Sequence, residues 1–181
     1  MTNGIMIAHP TFIVAEIPEP VRSQVQAMRD SLKTLTAKMP VEITLAGSSG
    51  VGPIPPGTDL DLVQRHLDRT LRDVSSFRVR FSAIRTFPNT AIFYLETFDR
   101  SPFDQLHQEL RVSGIPFSKN PWPYNPHCTL RGGKPLSADE AVELAARAFP
   151  QEEFWINTIS VYDLNVTAVS CELLYQRTLG A

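Results

Sequence analysis

The sequence of 181 residues has few cysteines, no long apolar run and no excess of positive charge. Its two cysteines, Cys128 and Cys171, are too few for a disulfide framework or a four-ligand zinc site. We therefore expect two reduced thiols in a cytoplasmic protein.

The lack of long apolar and strongly basic segments excludes further classes of protein. No apolar run approaches the roughly 18 residues that cross a bilayer, and residues 1–9 contain no Lys or Arg to begin a signal peptide. With 17 Lys and Arg against 19 Asp and Glu, the formal charge is −2. Such a chain does not coat nucleic acid through bulk electrostatics, although it can bind one phosphate in a local pocket. We expect no membrane association.

The sequence does contain enough apolar residues for a packed core, since 43% of its residues are hydrophobic. This length fits one domain, or two small lobes that share a core. Apolar residues at helical spacing and capping signals predict helices over 21–35, 58–73, 101–112 and 137–149. Alternating residues predict a strand within 5–17, a hairpin of 77–82 with 91–98, and a closing pair at 154–163 and 171–179.

Two short stretches repeat one pattern. Residues 40–47 read Pro-Val-Glu-Ile-Thr-Leu-Ala-Gly, and residues 126–132 read Pro-His-Cys-Thr-Leu-Arg-Gly. Since residues two apart on a strand share a face, Glu42 lies beside Thr44, and His127 lies beside Thr129. Cys128 faces the opposite way, which predicts a core thiol rather than a nucleophile.

If the two halves pack about a pseudo-two-fold axis, the two polar pairs meet across a cleft. Such a cleft suits acid–base chemistry at a phosphodiester, because one side chain can remove a proton from the attacking group while the other protonates the leaving oxygen. The two threonine hydroxyls can hydrogen-bond the non-bridging oxygens. This chemistry needs no metal and no other cofactor, and no cluster of His, Cys, Asp and Glu has metal-ligand spacing.

The order of elements resembles the 2H phosphoesterase superfamily, also called 2′-5′ RNA ligase-like proteins. The clearest match is His127-Cys128-Thr129-Leu130, preceded by Tyr124-Asn125-Pro126, because that family carries two His-x-Thr/Ser-x motifs, one in each lobe. The resemblance implies an α+β fold with two antiparallel sheets around a central cleft and helices outside. It also implies a single bilobal, pseudo-two-fold domain over residues 1–181, with motifs at 42–45 and 127–130.

The first motif departs from the family pattern, because Glu42 stands where the family has histidine. The resemblance implies hydrolysis of a small phosphodiester, such as a 2′,3′-cyclic nucleotide or a 2′-5′ oligonucleotide end, with Glu42 as base and His127 as acid. Burial in a dry cleft can raise a carboxyl pKa into the working range. Because Glu42 also brings negative charge toward an anionic substrate, two alternatives stay open. The chain can bind a nucleotide without turnover, or it can carry other acid–base chemistry on a small metabolite, such as isomerisation or elimination.

Further candidates for ligand binding are Tyr124, Trp122, Arg131 and His9. The two aromatic residues either stack on a base or pack the junction between the lobes. Arg131 follows the second motif one position earlier than in the family, which can turn its side chain away from the cleft. His9 lines the cleft only if the N-terminal strand runs through it.

The remaining signals favour ordinary structural roles. Gly47–Gly52 lacks the Gly-Lys-Ser/Thr ending of a phosphate loop and predicts a flexible rim loop. His66 and His107 lie on predicted helices, and we expect both at the surface. The expected partner is a small molecule or a short oligonucleotide, bound by a monomer.

Overall fold

The computed structural model describes residues 4–165 and 167–180, so the predicted domain 1–181 is covered except for residues 1–3, 166 and 181. In chain order, the strands are β1 (Thr11–Glu16), β2 (Glu42–Ala46), β3 (Phe77–Val79), β4 (Phe81–Thr86), β5 (Phe93–Thr97), β6 (His127–Arg131), β7 (Phe154–Ile156), β8 (Thr158–Asn165) and β9 (Ser170–Thr178). The α-helices are α1 (Val21–Leu32), α2 (Leu60–Thr70), α3 (Ser101–Arg111) and α4 (Ala138–Ala145), and a 3₁₀ helix covers Leu35–Lys38.

Two antiparallel sheets carry the two repeated stretches. The first has the strand order β2-β1-β8-β9, and the second has the order β4-β5-β6. The short strands β3 and β7 form a separate antiparallel pair. As a result β2 and β6, the strands of the two motifs, are both edge strands, and they pack against each other.

The helix that precedes each motif strand packs against the other motif strand. Helix α1 precedes β2 but lies against β6, while α3 precedes β6 but lies against β2. This exchange is the same in both halves, in keeping with a pseudo-two-fold relation, and it interleaves the two halves of the chain. The α+β architecture with antiparallel sheets is as predicted.

The core fills the faces of the sheets that the alternation assigns to it. Ile43 and Leu45 of β2 and Cys128 and Leu130 of β6 are at most 1% exposed. Cys128 is thus a buried free thiol, as its position in the strand predicts. Burial raises the pKa of Cys128 to about 11, which keeps the thiol protonated and unreactive.

Several predicted boundaries are wrong. The first helix ends at Leu32 because Lys33 adopts a left-handed backbone (φ 51°), which leaves Leu35 in the 3₁₀ helix and largely exposed. The predicted hairpin strand 77–82 is two strands, of which β3 pairs with β7 and β4 pairs with β5.

Helix α2 is capped by the Asp59 carboxylate, which accepts from the backbone N–H of Asp61. Helix α4 begins with a capping box, in which the Ser137 hydroxyl accepts from the backbone N–H of Glu140 and the Glu140 carboxylate accepts from that of Ser137.

Candidate active site

The polar pairs of the two motifs lie on the faces of β2 and β6 opposite to their core residues. Glu42 and Thr44 flank the buried Ile43, and His127 and Thr129 flank the buried Cys128. The backbone of Glu42 approaches the Cys128 thiol, which shows how closely the two edge strands meet. The structure therefore places the two strands that carry the predicted pairs against each other at one junction between the sheets.

Glu42 is a carboxyl group that its surroundings make hard to ionise. It keeps some exposed surface, yet burial raises the pKa of Glu42 from 4.5 to about 7. The positive charge of Arg29 and the Thr44 hydroxyl oppose that rise. The Thr44 hydroxyl lies 3.0 Å and 3.2 Å from the two carboxylate oxygens and donates to them. A carboxyl with this pKa can give up or accept a proton near neutral pH.

His127 has a defined tautomer and a low affinity for a second proton. Its Nδ1 lies 2.7 Å from the backbone carbonyl of Asn125, so Nδ1 carries the hydrogen and Nε2 keeps a free lone pair. Burial lowers the pKa of His127, and the Asn125 carbonyl only partly offsets this. Phe87 and Tyr94 contact the imidazole edge-to-face at 5.0 Å and 5.1 Å between ring centroids. These rings exclude water and fix the imidazole plane.

The backbone carbonyls of the two threonines are both held by side chains from outside their sheets. The Tyr124 hydroxyl donates to the carbonyl of Thr44 over 3.2 Å. The Arg29 Nε donates to the carbonyl of Thr129 over 2.9 Å. Thr44 is 8% exposed. The backbone positions of both threonines are therefore fixed by contacts that do not involve their hydroxyl groups.

Tyr124 forms a stacked pair with His107, with ring centroids 3.9 Å apart and planes 2° apart. His107 donates from Nδ1 to the carbonyl of Leu45 over 2.8 Å, and its Nε2 has no hydrogen-bond partner among the described residues. His107 is 1% exposed, so its predicted surface position is wrong. The sequence held a signal for this, because Phe103, His107 and Leu110 follow helical spacing along the buried face of α3.

The loop after β2 is tied to the segment that enters β6. The N–H of Gly50 donates to the carbonyl of Trp122 over 2.9 Å, and the Asn120 amide donates to the carbonyl of Gly47 over 3.2 Å. The Trp122 side chain itself is 66% exposed. Trp122 thus stands at the rim, whereas Tyr124 packs at the junction of the lobes.

His9 and Arg131 have partners of their own. His9 Nδ1 lies 2.7 Å from Oδ1 of Asp163, and Oδ2 of the same carboxylate accepts from the backbone N–H of His9 over 3.0 Å. Arg131 pairs with Phe93 across a register shift, which places it on the opposite face of the sheet from Thr129. Arg131 donates to the carbonyl of Lys134 over 3.1 Å. This bulge accounts for the direction predicted for the Arg131 side chain, away from the cleft.

Two residues that sequence reasoning did not single out lie next to the motifs. Arg29 is 1% exposed, although it is charged, and it lies on the apolar face of α1 between Met28 and Leu32. Glu16 of β1 lies directly opposite Glu42. One oxygen of Glu16 accepts from Ser160, Tyr162 and Gln176 at 2.6, 2.9 and 3.3 Å. A polar strip thus extends from Glu42 across the first sheet.

Other features of the described residues lie apart from this junction. A pocket of about 710 Å³ lies between the end of α2 and the start of α3, lined in part by Phe77 and Leu106, and it contains no motif residue. In residues 4–165 and 167–180, no group of three or more His, Cys, Asp or Glu side chains is arranged to hold a metal ion. None of the helices in that part of the chain has the length and apolar character needed to span a membrane.

Comparison with known proteins identifies the family. The family model of the 2′-5′ RNA ligase superfamily matches residues 17–167, and the chain belongs to this superfamily. None of the curated proteins is significantly similar to it in sequence.

Solved structures share its fold. TT0787 from Thermus thermophilus aligns with a TM-score of 0.70 at 17% identity, over 94% of this chain and 97% of that one. E. coli LigT complexed with 3′-AMP aligns with a TM-score of 0.64 at 15% identity, over 96% and 99% of the two chains. A structure described as a phosphoesterase aligns with a TM-score of 0.61 at 16% identity, over 96% and 99%. The resemblance to the 2H phosphoesterases and the fold it implies are thus confirmed.

Proposed function

We propose that this protein hydrolyses a small phosphodiester by acid–base catalysis between Glu42 and His127. The observation that carries the proposal is the contact between strands β2 and β6, which bear Glu42 and His127, together with pKa values of these two groups that are displaced in opposite directions. Pairs of titratable groups whose surroundings change their proton affinities are typical of catalytic sites. Membership in a superfamily that includes phosphoesterases supports this reaction class.

The pKa directions favour His127 as base and Glu42 as acid. The pKa of Glu42 is raised to about 7, whereas that of His127 lies below 6.5. When the pair holds one proton, that proton therefore resides mainly on Glu42. The sequence alone favoured the opposite roles, with Glu42 as base and His127 as acid. Those opposite roles also need one proton on the pair, but they require it to reside on His127, which is the less stable of the two positions.

In the proposed step, His127 Nε2 takes a proton from water, and the water oxygen forms a bond to phosphorus. The bond from phosphorus to the leaving oxygen breaks, and Glu42 protonates that oxygen. Thr129 and Thr44 donate hydroxyl hydrogens to the non-bridging oxygens. The Thr44 hydroxyl is free to do so because a protonated Glu42 needs that donor less than an ionised one. Transfer of the proton from His127 to Glu42 then restores the site.

The substrate class is a 2′,3′-cyclic nucleotide or a 2′-5′ oligonucleotide end. Structures of E. coli LigT include complexes with 3′-AMP and with ATP, which supports a nucleotide for this related fold. Trp122 stands exposed at the rim, where a base can stack on it. Free Cys128 and Cys171 are in keeping with a cytoplasmic enzyme, and the contacts described need only one chain.

The test is ring opening of 2′,3′-cyclic AMP and cleavage of 2′-5′ diadenylate, each followed by ³¹P NMR with EDTA present. We expect turnover by the wild type and a loss of about 10²-fold or more in His127→Ala and in Glu42→Gln. Glu143→Gln, at an exposed position on α4, is the matched control and should keep full activity. Binding of either compound without turnover would instead make the protein a nucleotide-binding member of the family. Absence of both would point to another substrate.

A further inference from the structure

Arg29 is a buried cation that contacts both the second motif strand and the segment leading into the first. It is 1% exposed. Its guanidinium donates through Nε to the carbonyl of Thr129 (2.9 Å), through Nη1 to those of Met39 (2.9 Å), Pro40 (2.9 Å) and Thr36 (3.4 Å), and through Nη2 to the sulfur of Cys128 (3.8 Å). The side chain therefore joins α1, the approach to β2, and β6.

None of these contacts neutralises the charge. Among the described residues, no carboxylate lies within ion-pair distance of Arg29. Carbonyl oxygens solvate a guanidinium but leave its charge in place, and an uncompensated charge in the interior is strongly unfavourable. A negative group nearby would therefore gain from the presence of Arg29.

Glu42 is placed to be that group. It lies two residues after Pro40, whose carbonyl Arg29 holds, and its backbone approaches the same Cys128 sulfur that Arg29 contacts. The charge of Arg29 lowers the pKa of Glu42 against the effect of burial. The interaction is through space rather than by a direct hydrogen bond, so Arg29 does not occupy the carboxyl oxygens of Glu42.

We infer that Arg29 is the positioning residue and the counter-charge for Glu42, and that it allows a carboxyl group to occupy the place of a catalytic imidazole. The role in turnover rests on the proposed function, whereas the electrostatic coupling does not. An imidazole at residue 42 becomes neutral when it gives up its proton and needs no counter-charge, but Glu42 becomes a carboxylate beside an anionic group once it has protonated the leaving oxygen. Arg29 supplies this charge from behind the strand, where it cannot trap the substrate phosphate.

Other groups around Glu42 do not supply this charge. Glu16, opposite Glu42 on β1, has the same sign. His127 and Cys128 on β6 have pKa values displaced toward their neutral forms. Lys38, at the end of the 3₁₀ helix, is exposed to solvent. In the described part of the chain, Arg29 is therefore the buried cation that acts on Glu42, whereas the other buried arginine, Arg131, lies at the end of β6 and donates to the carbonyl of Lys134.

The fork of the guanidinium explains why arginine rather than lysine suits this position. Nε reaches Thr129 on one side while Nη1 reaches Met39 and Pro40 on the other. A lysine has one nitrogen and cannot donate in both directions with the same geometry. Arg29→Lys thus keeps a charge but loses part of the link between the motif strands.

The test is a ¹³C NMR titration of the Glu42 carboxyl carbon, assigned with Glu42→Gln, in the wild type, Arg29→Gln, Arg29→Lys and the exposed control Arg72→Gln. We expect the pKa of Glu42 to rise from about 7 to about 8 or higher in Arg29→Gln. We expect a smaller rise in Arg29→Lys and none in the control. A folded Arg29→Gln with an unchanged Glu42 pKa would overturn the inference. If Arg29→Gln does not fold, the test uses Arg29→Lys, in which the positive nitrogen lies at a different place and should also change the Glu42 pKa. An unchanged Glu42 pKa in Arg29→Lys would then overturn the inference.

A kinetic arm separates this inference from the proposed function. If the wild type opens 2′,3′-cyclic AMP, Arg29→Lys should shift the alkaline limb of the pH–rate profile in the same direction as the NMR titration. If the wild type turns over neither substrate but the Glu42 pKa still responds to Arg29, the proposed function fails and the coupling stands. If the wild type is active but the Glu42 pKa does not respond to changes at Arg29, the coupling fails and the proposed function stands.

Discussion

The hydroxyl of Tyr124 donates to the backbone carbonyl of Thr44 over 3.2 Å, which links the segment entering the second motif to the strand of the first. Tyr124 precedes His127 by three residues, so this bond fixes the distance between the two halves of the site. Burial raises the pKa of Tyr124, and the hydroxyl therefore keeps its proton and its role as donor.

Removal of this link should weaken both the fold and the activity. Tyr124→Phe keeps the stack on His107 but leaves the Thr44 carbonyl without its donor, and we expect a loss of about 1 kcal/mol in the free energy of unfolding. The rate of phosphodiester cleavage should fall by about tenfold or more, because misplacement of a catalytic group is costly. Tyr175→Phe, which loses a hydrogen bond to Asp68 far from the motifs, is the control. It should lose similar stability in urea unfolding and no activity.

The stability of the protein should depend on pH through Glu42. The folded pKa of about 7 lies above the unfolded value of 4.5, so the folded state binds the proton more tightly than the unfolded state. The tighter proton binding stabilises the folded state. This contribution to the free energy of unfolding is fully present below pH 4.5 and is lost as the pH rises through 7. Compared with Glu42→Gln, the wild type should be equally stable at pH 4 and less stable by about 1–3 kcal/mol at pH 8. Urea unfolding at the two pH values measures this difference, and a constant gap would contradict it.

Restoring the family motif should succeed only when Arg29 is also changed. In Glu42→His, the buried cation opposes protonation of the new imidazole, and we expect little gain in activity. The double variant Glu42→His with Arg29→Met removes that cation and should be more active than Glu42→His alone. Rates of 2′,3′-cyclic AMP cleavage at pH 6 and pH 8 test whether the double variant is more active than the single variant. Equal rates in the single and double variants would argue against electrostatic coupling between these positions.

The connection between β2 and α2 should tolerate a side chain at Gly57 better than at Gly50. Both glycines have positive φ, 69° at Gly50 and 81° at Gly57, but a Cβ at Gly50 would overlap the His107 ring, whereas nothing lies near one at Gly57. The backbone cost of alanine is about 1–2 kcal/mol at either position. The contact with the stacked, buried His107 should add about 1–3 kcal/mol at Gly50. Thermal unfolding of Gly50→Ala and Gly57→Ala measures the two losses side by side.

The sequence predicted the parts of this molecule that depend on local pattern. The repeat around Glu42 and His127 identified both motif strands, and alternation correctly buried Cys128. The sequence did not show that α1 and α3 exchange their strand partners, since that depends on tertiary packing. For the same reason the contacts of Arg29 with β6 and of His107 with β2 could not be predicted, although both residues interrupt or extend an apolar helix face. The bulge that turns Arg131 away is likewise a property of the paired sheet.

The most direct test of the account is the pH–rate profile for ring opening of 2′,3′-cyclic AMP, measured with EDTA present. Because burial lowers the pKa of His127 and raises that of Glu42 to about 7, we expect the rate to rise with pH as His127 loses its second proton and to fall as Glu42 ionises near pH 7. The alkaline limb should disappear with most of the activity in Glu42→Gln. A wild type without turnover between pH 5 and 9, or a profile that Glu42→Gln and His127→Ala leave unchanged, would contradict the assignment of these two residues as the catalytic pair.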